Sequence, residues 1–295
     1  MPAAVTTPSF LDPPTVDAVR ALIARVADED GRDPLSDQAL MNLTSRDVRH
    51  ALAVDDDGGA VEVVGYAQLD GQSLEIAGTT AALDALLDVF AGEPVLIWSH
   101  GRHSRLMPVL ERRGLHAVRE LHQLRRPLTD PVARPQPPAG VELMVFVVGR
   151  DEQPWLAVNA AAFADHPEQG RWTRADVEAR EAESWFDPSG FLMAWRDDTL
   201  VRFHWTKVHS DGAGEVYVLG VAPSEQGTGL GKVLLQHGLA ALHDRGCATV
   251  LLYVDGDNAV AMRLYERNGF ARHDLDVQWS AQSPAQSSSG TVSNT

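Results

Sequence analysis

Hydrophobic positions in the second half of the chain recur with a period of about two in some stretches and about 3.6 residues in others, which predicts strands and helices in turn. The stretches with strand character are FLMAWR, TLVRFHWTKV, GEVYVLGV and CATVLLYV. Helices are predicted over about residues 152–162, from Thr173 with a T-x-x-D capping box closing on Asp176, along the apolar face Val233, Leu234, His237 and Ala241, and over NAVAMRLYERNG. A meander of strands that leads into strand-helix-strand units predicts an α/β fold with a mixed sheet.

The two halves of the chain resemble each other. VLIWSHGRHSRLMPVLERRGL, from Val95, aligns without a gap with VLLYVDGDNAVAMRLYERNGF, from Val250, at an offset of 155 residues. The matching pairs are Val95/Val250, Leu96/Leu251, Gly101/Gly256, Met107/Met262, Glu111/Glu266, Arg112/Arg267 and Gly114/Gly269. Each copy has the pattern of a strand, a turn, a helix ended by glycine and a further strand. The sequence therefore predicts a tandem duplication of one α/β unit.

Two segments have the composition of spacers. Residues 129–140 contain four prolines, which exclude regular helix or inner strand and predict a stiff interdomain linker. Residues 281–295 are polar and have too little apolar surface to fold, so a disordered tail is predicted. The predicted organisation is an N-terminal domain over 1–128, a linker over 129–140, a C-terminal domain over 141–280 and a tail over 281–295.

The composition mainly excludes certain partners and kinds of site. The 295 residues contain 25 Lys+Arg against 41 Asp+Glu, a formal net charge of −16. This argues against nucleic acid or an anionic membrane as a partner, because phosphate binding depends on clustered Lys and Arg. A single cysteine, Cys247, excludes an internal disulfide and a Cys-based zinc site. With no export signal and no apolar run of membrane-spanning length, the protein is expected to be a cytoplasmic monomer that is neither exported nor anchored.

The segment from Val216 to Lys232 is the most informative part of the sequence. Its glycines at 227, 229 and 231 let the backbone turn sharply and present consecutive N–H groups at the start of a helix, which suits a pyrophosphate. The spacing is neither G-x-x-x-x-G-K-[ST] nor G-x-G-x-x-G with an acidic residue about 20 positions further on. No Walker lysine or Mg²⁺-binding hydroxyl is therefore present, and a dinucleotide is disfavoured. A glycine-rich turn without a ligand remains the alternative.

Two motifs in this region resemble a known family. V-x-P-x-x-Q-G-x-G-L-G begins at Val221, and D-N-x-x-A-x-x-L-Y-x-x-x-G-F begins at Asp257. Together they resemble the acetyl-CoA site of the GCN5-related N-acetyltransferases, abbreviated GNAT. The resemblance implies two tandem GNAT-like domains, each a mixed, mostly antiparallel sheet flanked by helices.

Longer strings extend this resemblance over nearly all of the C-terminal half and, more weakly, over the N-terminal half: NAAFADHPEQGRWT, WFDPSG and FHWTKVHSDGAGEVYVLGV. They are similar to tandem members of the family that acetylate the cysteinyl amine of a cysteinyl-glucosaminyl-inositol. The resemblance implies an N-acetyltransferase with acetyl-CoA as co-substrate, no metal, and this small-molecule amine as acceptor. Another small amine, such as an aminoglycoside or a peptide N-terminus, and a non-catalytic CoA-binding sensor are the alternatives.

Acetyl transfer to an amine requires a base, an oxyanion donor and an acid for the leaving thiolate. A cysteinyl α-amine titrates near pH ~8, so a modest base is enough. Glu215, at the head of the strand that enters the glycine loop, matches the catalytic glutamate of the family; a solvated strand-end glutamate is the alternative. Tyr265, seven residues after Asn258, matches the tyrosine that protonates the thiolate; a core aromatic residue is the alternative.

The resemblance also implies binding residues. Those for acetyl-CoA are Leu219, Gly220, Val221, Gln226, Gly227, Thr228, Gly229, Leu230, Gly231, Lys232, Asn258, Ala259, Val260, Ala261, Met262 and Arg263. Those for the acceptor are Asp37, Glu168, Lys207, Glu215 and Tyr253. Carboxylates and a lysine suit an acceptor with an ammonium group and many hydroxyls, although each could equally be a surface or packing residue.

Two further features are interpreted as structural. His100 and His103 have the i, i+3 spacing of a metal pair, but no carboxylate or cysteine converges on them in sequence. A turn with exposed imidazoles and no metal is therefore predicted. Cys247 starts a predicted strand and is expected to be a small core residue.

The N-terminal half lacks parts of this site. By the offset of 155 residues, Tyr265 corresponds to Leu110 and Asn258 to His103, so the acid and the asparagine are missing. The two strands that flank the loop are 21 positions apart here and 34 apart in the other half, so the glycine loop is missing as well. This half is predicted to pack against the C-terminal domain and to close the acceptor pocket, with no acetyl-CoA of its own.

Overall fold

The structure is a computed structural model that describes residues 4–55, 62–164, 169–222, 225 and 229–282. The chain divides into two units. The described parts of Met1–His122, Asp255–Asp257 and Asp274–Thr295 form unit 1, and those of Gln123–Val254 and Asn258–His273 form unit 2. Neither unit is therefore one continuous stretch of chain.

Strands and helices succeed one another along both units. The strands are β1 (Ala4–Thr6), β2 (Arg49–Asp55), β3 (Glu62–Asp70), β4 (Ser73–Gly78), β5 (Leu96–Ser99), β6 (His116–Pro127), β7 (Val141–Val145), β8 (Phe191–Arg196), β9 (Thr199–Val208), β10 (Gly214–Val221), β11 (Thr249–Asp255) and β12 (Ala271–Ser280). The α-helices are α1 (Pro13–Asp30), α2 (Asp37–Met41), α3 (Thr80–Val89), α4 (Leu106–Arg112), α5 (Glu152–Ala162), α6 (Arg174–Glu181), α7 (Leu230–Asp244) and α8 (Ala259–Arg267).

Unit 1 is built on a sheet with the strand order β1-β2-β3-β4-β5-β12. β4 and β5 run parallel, with Leu74 opposite Ile97, and the other neighbouring pairs are antiparallel. Side chains alternate between the two faces of each strand, so each face has its own core. Helices α3 and α4 pack on the face of Ala51 and Ala53, and α1 packs on the face of Leu52.

Unit 2 repeats this arrangement with the strand order β6-β11-β10-β9-β8-β7. β10 and β11 run parallel, whereas β9 pairs antiparallel with β10 and with β8. On one face, Leu239 of α7 and Tyr265 of α8 pack with Val216. On the other face, Trp155 of α5 lies in an aromatic core with Trp205.

Helix α7 approaches the sheet closely at Gly238. A Cβ atom at this position would lie 2.0 Å from Cε1 of the His204 ring on β9, so only glycine fits. His204 donates a hydrogen bond from Nδ1 to the carbonyl oxygen of Leu234 at 2.9 Å. Burial lowers the pKa of His204 to about 4, so the imidazole is neutral. This contact fixes the position of α7 over β9.

The elements predicted in the second half of the chain are observed. Helix α5 has the predicted bounds, and β8, β9 and β10 coincide with the predicted apolar stretches. Helix α6 begins with the predicted capping box, in which the Thr173 N–H donates to Asp176 Oδ2 at 2.7 Å and the Asp176 N–H donates to Thr173 Oγ1. Cys247 is buried as expected.

The tandem repetition is confirmed by the order of elements. The series β4-α3-β5-α4 of unit 1 corresponds to β10-α7-β11-α8 of unit 2, and the two strands of each series are parallel. Both sheets are mixed and mostly antiparallel, so the predicted fold class is confirmed. In unit 1, α3 starts at Thr80, two residues after β4 ends, which agrees with a missing glycine loop.

Part of the last strand of each copy lies in the other unit, which the sequence does not predict. Residues 123–127 of β6 lie in unit 2, and the part of β12 from Asp274 onward lies in unit 1. There Val277 pairs with Ser99 of β5. The predicted domain limits at residues 128 and 141 stay a prediction.

The proline-rich segment between β6 and β7 contains no helix or strand, as predicted for residues 129–140. It lies in unit 2, where Val132 packs on the core. The carbonyl oxygen of Pro135 accepts a hydrogen bond from His237 Nε2 at 2.8 Å, and Arg134 pairs with Asp244 at 2.5 Å. Both partners are on α7.

His100 lies in unit 1 between two carboxylates. Its side chain is 9% exposed, with Nε2 3.4 Å from Glu75 Oε2 and Nδ1 3.3 Å from Asp276 Oδ2. Glu75 also accepts hydrogen bonds from the N–H and the hydroxyl of Ser36, at 2.6 and 2.5 Å. Arg32 donates to Asp276 Oδ2 at 2.7 Å. The prediction of an exposed imidazole at position 100 is therefore wrong, because β12 brings in a carboxylate from far along the chain.

The two carboxylates decide the charge of this imidazole. Burial alone would lower the pKa of His100, but the contacts with Asp276 and Glu75 outweigh burial and raise the pKa to about 9. His100 is thus a buried cation at neutral pH. His103, in contrast, is exposed as predicted.

We expect the stability difference between the wild type and a His100→Gln variant to shrink as the pH rises from about 6.5 to above 9. A cation whose pKa is higher in the folded than in the unfolded state stabilises the fold below the unfolded pKa, and loses this effect as pH rises through the folded pKa. For a shift from 6.5 to about 9 the contribution is about 3 kcal/mol. Thermal unfolding across this range measures it, with His103→Gln as the exposed control. A difference that stays constant with pH would contradict a charged His100.

Candidate active site

Strand β10 has a bulge where it parts from β11. Its pairing with β9 shifts register between Val216 and Val218, which makes Tyr217 the extra residue. Among the described residues, its pairing with β11 covers Gly214 to Val216 and goes no further. Bulges redirect side chains and are frequent next to active sites. The sheet of unit 2 therefore opens along one edge of β10, where Leu219, Gly220 and Val221 were predicted to contact acetyl-CoA.

Three predicted site residues share one face of this sheet. Glu215 lies opposite Lys207 on β9 and opposite Leu251 on β11. Tyr253 is two residues after Leu251, so it points to the same face. Glu215 and Lys207 are each 6% exposed, whereas Tyr253 is 36% exposed. The Tyr253 hydroxyl accepts a hydrogen bond from Gln123 Nε2 at 2.7 Å.

Aromatic side chains lie next to Lys207 on this face. Its Nζ is 5.0 Å from the ring centre of Trp185 and 5.7 Å from that of Tyr217, distances at which a cation is attracted by a ring. Arg180 donates a hydrogen bond to the Tyr217 hydroxyl at 2.9 Å and lies 3.8 Å above the Trp172 ring. None of these aromatic residues was predicted as part of the site. The sequence signal that could have indicated them is the clustering of tryptophans, since five of the seven lie between positions 155 and 205.

Glu215 has a partner, His209, that was not predicted from the sequence. Nε2 of His209 lies 2.7 Å from Glu215 Oε2. The imidazole is 29% exposed and the carboxylate side chain 8%. The pair is formed by the turn between β9 and β10, in the string KVHSDGAGE.

Tyr265 lies on the opposite face of the sheet from Glu215. Its side chain packs in the core of Val216, Leu252 and Val254, and Val216 points away from the face of Glu215 because neighbouring strand residues alternate. Burial raises the pKa of Tyr265, so the phenol is fully protonated at neutral pH. A protonated phenol is the form that a proton donor to a leaving thiolate requires.

We expect Tyr265→Phe to lower the rate of acetyl transfer by about 10²-fold, at the low end for loss of a general acid. The substitution removes one oxygen and keeps the ring in its core position, so the thermal midpoint and the acetyl-CoA affinity should change little. Single-turnover rates at saturating acetyl-CoA measure the effect. A wild-type rate would leave Tyr265 with a packing role.

Gly229 is the N-cap of helix α7, and its φ of 80° lies in the left-handed region that favours glycine. The first N–H groups of a helix have no intrahelical acceptor and lie at the positive end of its dipole. Leu230 is fully buried, whereas Lys232 is exposed. Gln226, Gly227 and Thr228 lie outside the described residues.

A buried guanidinium lies beneath the start of this helix. A Cβ atom at Gly231 would be 2.8 Å from Nη1 of Arg202, and Arg202 is 3% exposed. Its Nη2 donates to the carbonyl oxygen of Glu225. Arg202 was not predicted, although an arginine within the apolar stretch TLVRFHW is the kind of signal that could have found it. Helix N–H groups, Arg202 and Lys232 together fit the doubly charged pyrophosphate of CoA.

Helix α8 presents part of its predicted binding residues to solvent. Asn258 caps the helix, since its Oδ1 accepts the N–H of Ala261 at 3.0 Å. Ala259, Val260 and Arg263 are exposed, Ala261 is half-buried, and Met262 is buried in the core. Contacts with acetyl-CoA from this helix stay a prediction.

Two of the acceptor residues implied by the resemblance remain, Asp37 and Glu168. Asp37 belongs to unit 1, where it is exposed and follows Ser36, the N-cap of α2. Glu168 lies outside the described residues. Both stay predictions.

This arrangement can support acyl transfer to an amine. A carboxylate lies at the point where β10 and β11 part, a protonated phenol lies on the opposite face, and a helix start with nearby cations can bind phosphate. In the described part of the chain, no group of three or more His, Cys, Asp or Glu side chains could hold a metal ion. No described helix has the length and apolarity needed to cross a membrane.

Comparison with known proteins agrees with this chemistry. Residues 155–270 match the model of the acetyltransferase (GNAT) family. Over 297 residues the chain is 44% identical to the mycothiol acetyltransferase of Streptomyces coelicolor, covering 94% of this chain and 95% of the relative. It is 45% identical over 289 residues to that of Thermomonospora curvata, covering 93% and 96%. The chain therefore belongs to the GNAT acetyltransferase family and, within it, to the group of the mycothiol acetyltransferases.

Solved structures share the fold. A GCN5-related N-acetyltransferase from Sphaerobacter thermophilus has a TM-score of 0.68 at 22% identity, covering 95% of this chain and 96% of that one. A tandem GNAT protein of the clavulanic acid pathway has a TM-score of 0.68 at 16% identity, covering 95% and 99%. The expectation of a tandem GNAT fold is thus confirmed. The family model and the sequence relatives confirm that of an acetyl-CoA-dependent N-acetyltransferase.

Proposed function

We propose that this chain transfers the acetyl group of acetyl-CoA to the cysteinyl amine of 1D-myo-inositol 2-(L-cysteinylamino)-2-deoxy-glucopyranoside, which makes mycothiol. The near full-length similarity to proteins named mycothiol acetyltransferase supports the acceptor. The observation that carries the chemistry is the buried Glu215 carboxylate at the head of the bulged strand β10.

In this proposal Glu215 is the general base. The acceptor amine loses a proton to the carboxylate as it attacks the acetyl carbonyl carbon. Because the α-amine titrates near pH ~8, part of it is neutral and nucleophilic at neutral pH, and the carboxylate accepts the proton that the nitrogen releases as the new N–C bond forms. Tyr265 then gives its proton to the CoA sulfur as the carbon–sulfur bond breaks.

Unit 2 would bind acetyl-CoA at the start of α7. The N–H groups of Leu230 and Gly231, the Arg202 guanidinium and the Lys232 ammonium compensate the negative pyrophosphate. The backbone of Leu219 and Val221, at the open edge of β10, would pair with the pantetheine arm.

The acceptor would lie on the face that carries Glu215. Lys207 and Tyr253 offer hydrogen-bond donors to sugar and inositol hydroxyls, and the Trp185 and Tyr217 rings give apolar surfaces for the faces of those rings. Asp37 and Glu168 are proposed as further acceptor contacts on the family resemblance.

Incubation with acetyl-CoA and a panel of amines, followed by mass spectrometry, tests the proposal. The panel contains the cysteinyl-glucosaminyl-inositol, an aminoglycoside and a peptide with a free N-terminus. We expect an added acetyl group on the first compound, at its amine. Thiol-trapping dyes would mislead, because this acceptor is itself a thiol. Acetylation of another amine alone, or of none with CoA still bound, would contradict the proposal.

A further inference from the structure

The imidazole of His209 is fixed by the turn that joins β9 to β10. The His209 N–H donates to the carbonyl oxygen of Ala213 at 2.8 Å, and the Gly212 N–H donates to the carbonyl oxygen of His209 at 2.9 Å. The Ala213 N–H donates to Asp211 Oδ1 at 2.9 Å. These bonds close the turn around residues 209–213 and leave the ring little backbone freedom.

The strand register then places this ring beside Glu215. Lys207 is opposite Glu215, and side chains two residues apart on a strand share a face. His209 is therefore the diagonal neighbour of Glu215, within reach of a long side chain. The observed separation of 2.7 Å between His209 Nε2 and Glu215 Oε2 is that of a hydrogen bond to a charged group.

The two side chains of this pair differ in their exposure to solvent. The His209 side chain is 29% exposed and that of Glu215 is 8%. The imidazole thus joins a buried carboxylate to solvent. Because a carboxylate only accepts hydrogen bonds, the N–H at Nε2 of His209 is the donor and Oε2 of Glu215 is the acceptor.

We propose that His209 is a positioning residue for acetyl transfer: it donates from Nε2 to Oε2 of Glu215, so that Oε1 faces the acceptor amine and takes up its proton. This inference rests on the proposed role of Glu215 as the base.

Other charged or titratable side chains lie near the pair of His209 and Glu215. Lys207 faces Glu215 from β9, Tyr217 lies on the neighbouring position of β10, Tyr253 faces from β11, and Asp211 is in the turn. These neighbouring side chains are the same in the two variants at position 209 that are described below. Differences between the variants therefore report on position 209.

Two substitutions at position 209 test the hydrogen bond to Glu215, because one of them can keep it and the other cannot. The side-chain amide nitrogen of Gln can take the place of Nε2, whereas that of Asn is shorter and corresponds to Nδ1. We expect His209→Asn to lower kcat by about 10- to 100-fold, as for loss of a hydrogen bond to a charged group, with KM for acetyl-CoA unchanged. His209→Gln should stay within about threefold of the wild type, because its side-chain amide keeps the hydrogen bond to Glu215 Oε2. His243→Gln is the control, since His243 is 27% exposed and also lies beside a carboxylate.

The NMR chemical shift of His209 Nε2 gives a readout that does not depend on turnover. We expect Glu215→Gln to change this chemical shift, because the charged acceptor of the hydrogen bond from Nε2 is replaced by a neutral one. Wild-type kcat in His209→Asn, equal losses in the Asn and Gln variants, or an unchanged Nε2 chemical shift would each overturn the inference. A wild-type rate in Glu215→Gln, or no acetylated product from the wild type, would instead contradict the proposed function.

Discussion

Glu215→Gln is expected to lower the rate of acetyl transfer by roughly 10²–10⁴-fold while leaving acetyl-CoA affinity nearly unchanged. The amide has the shape of the carboxylate but cannot accept the amine proton. Glu215 is 6% exposed and lies at the head of β10, whereas the proposed pyrophosphate contacts are at the start of α7. The loss should therefore appear in the chemical step and not in cofactor binding.

Single-turnover rates at saturating acetyl-CoA, measured with the cysteinyl-glucosaminyl-inositol, separate these two effects. Glu142→Gln is a suitable control, because Glu142 is exposed on β7 in the same unit and has the same change in charge. The control should keep the wild-type rate. If Glu215→Gln turned over at nearly the wild-type rate at neutral pH, the assignment of the base would be wrong.

The elements around this site could be predicted because their signals are local. A capping box at Thr173, a Pro-rich segment and the switch from period two to period 3.6 each depend on neighbouring residues. The glycine at position 229 likewise marks a left-handed turn before α7. These signals give the element bounds, whereas the two catalytic candidates, Glu215 and Tyr265, come from the resemblance to the GNAT family.

Contacts between distant segments could not be predicted in this way. Both copies of the repeat end in similar strands, so nothing local says that β12 pairs with β5 in unit 1. The same strand carries Asp276 to His100, which turns an expected surface imidazole into a buried cation. The contact of His209 with Glu215 could not be predicted for a related reason, because it depends on the register of β9 and β10. A one-residue slip in that register would send the His209 side chain to the other face.

The largest effect on cofactor binding is expected from Gly229→Trp, which should abolish detectable acetyl-CoA binding. Gly229 has a φ of 80°, a conformation that residues with a Cβ atom rarely adopt, and it is the N-cap of α7. A tryptophan there disturbs the turn that presents the first N–H groups of the helix and adds bulk beside them. A pyrophosphate removed from water without those donors is strongly disfavoured.

A matched control lies at the other end of the same helix. Gly246 has a φ of 81°, follows the last turn of α7, and its added Cβ would meet no atom within 4 Å, as is also true of Gly229. Gly246→Trp should therefore carry similar backbone strain and still bind acetyl-CoA. A shared loss of binding in both variants would indicate a general disturbance of α7.

Calorimetric titration with acetyl-CoA should also give one site per chain. The chain holds one complete glycine loop, and in unit 1 helix α3 starts two residues after β4, where Thr79 serves as its N-cap. The glycine-rich turn that would present N–H groups to a second pyrophosphate is missing there. Binding to the wild type should thus saturate at one equivalent and disappear in Gly229→Trp. Two equivalents per chain, or binding that survives the substitution, would mean that unit 1 binds the cofactor through contacts other than a glycine loop.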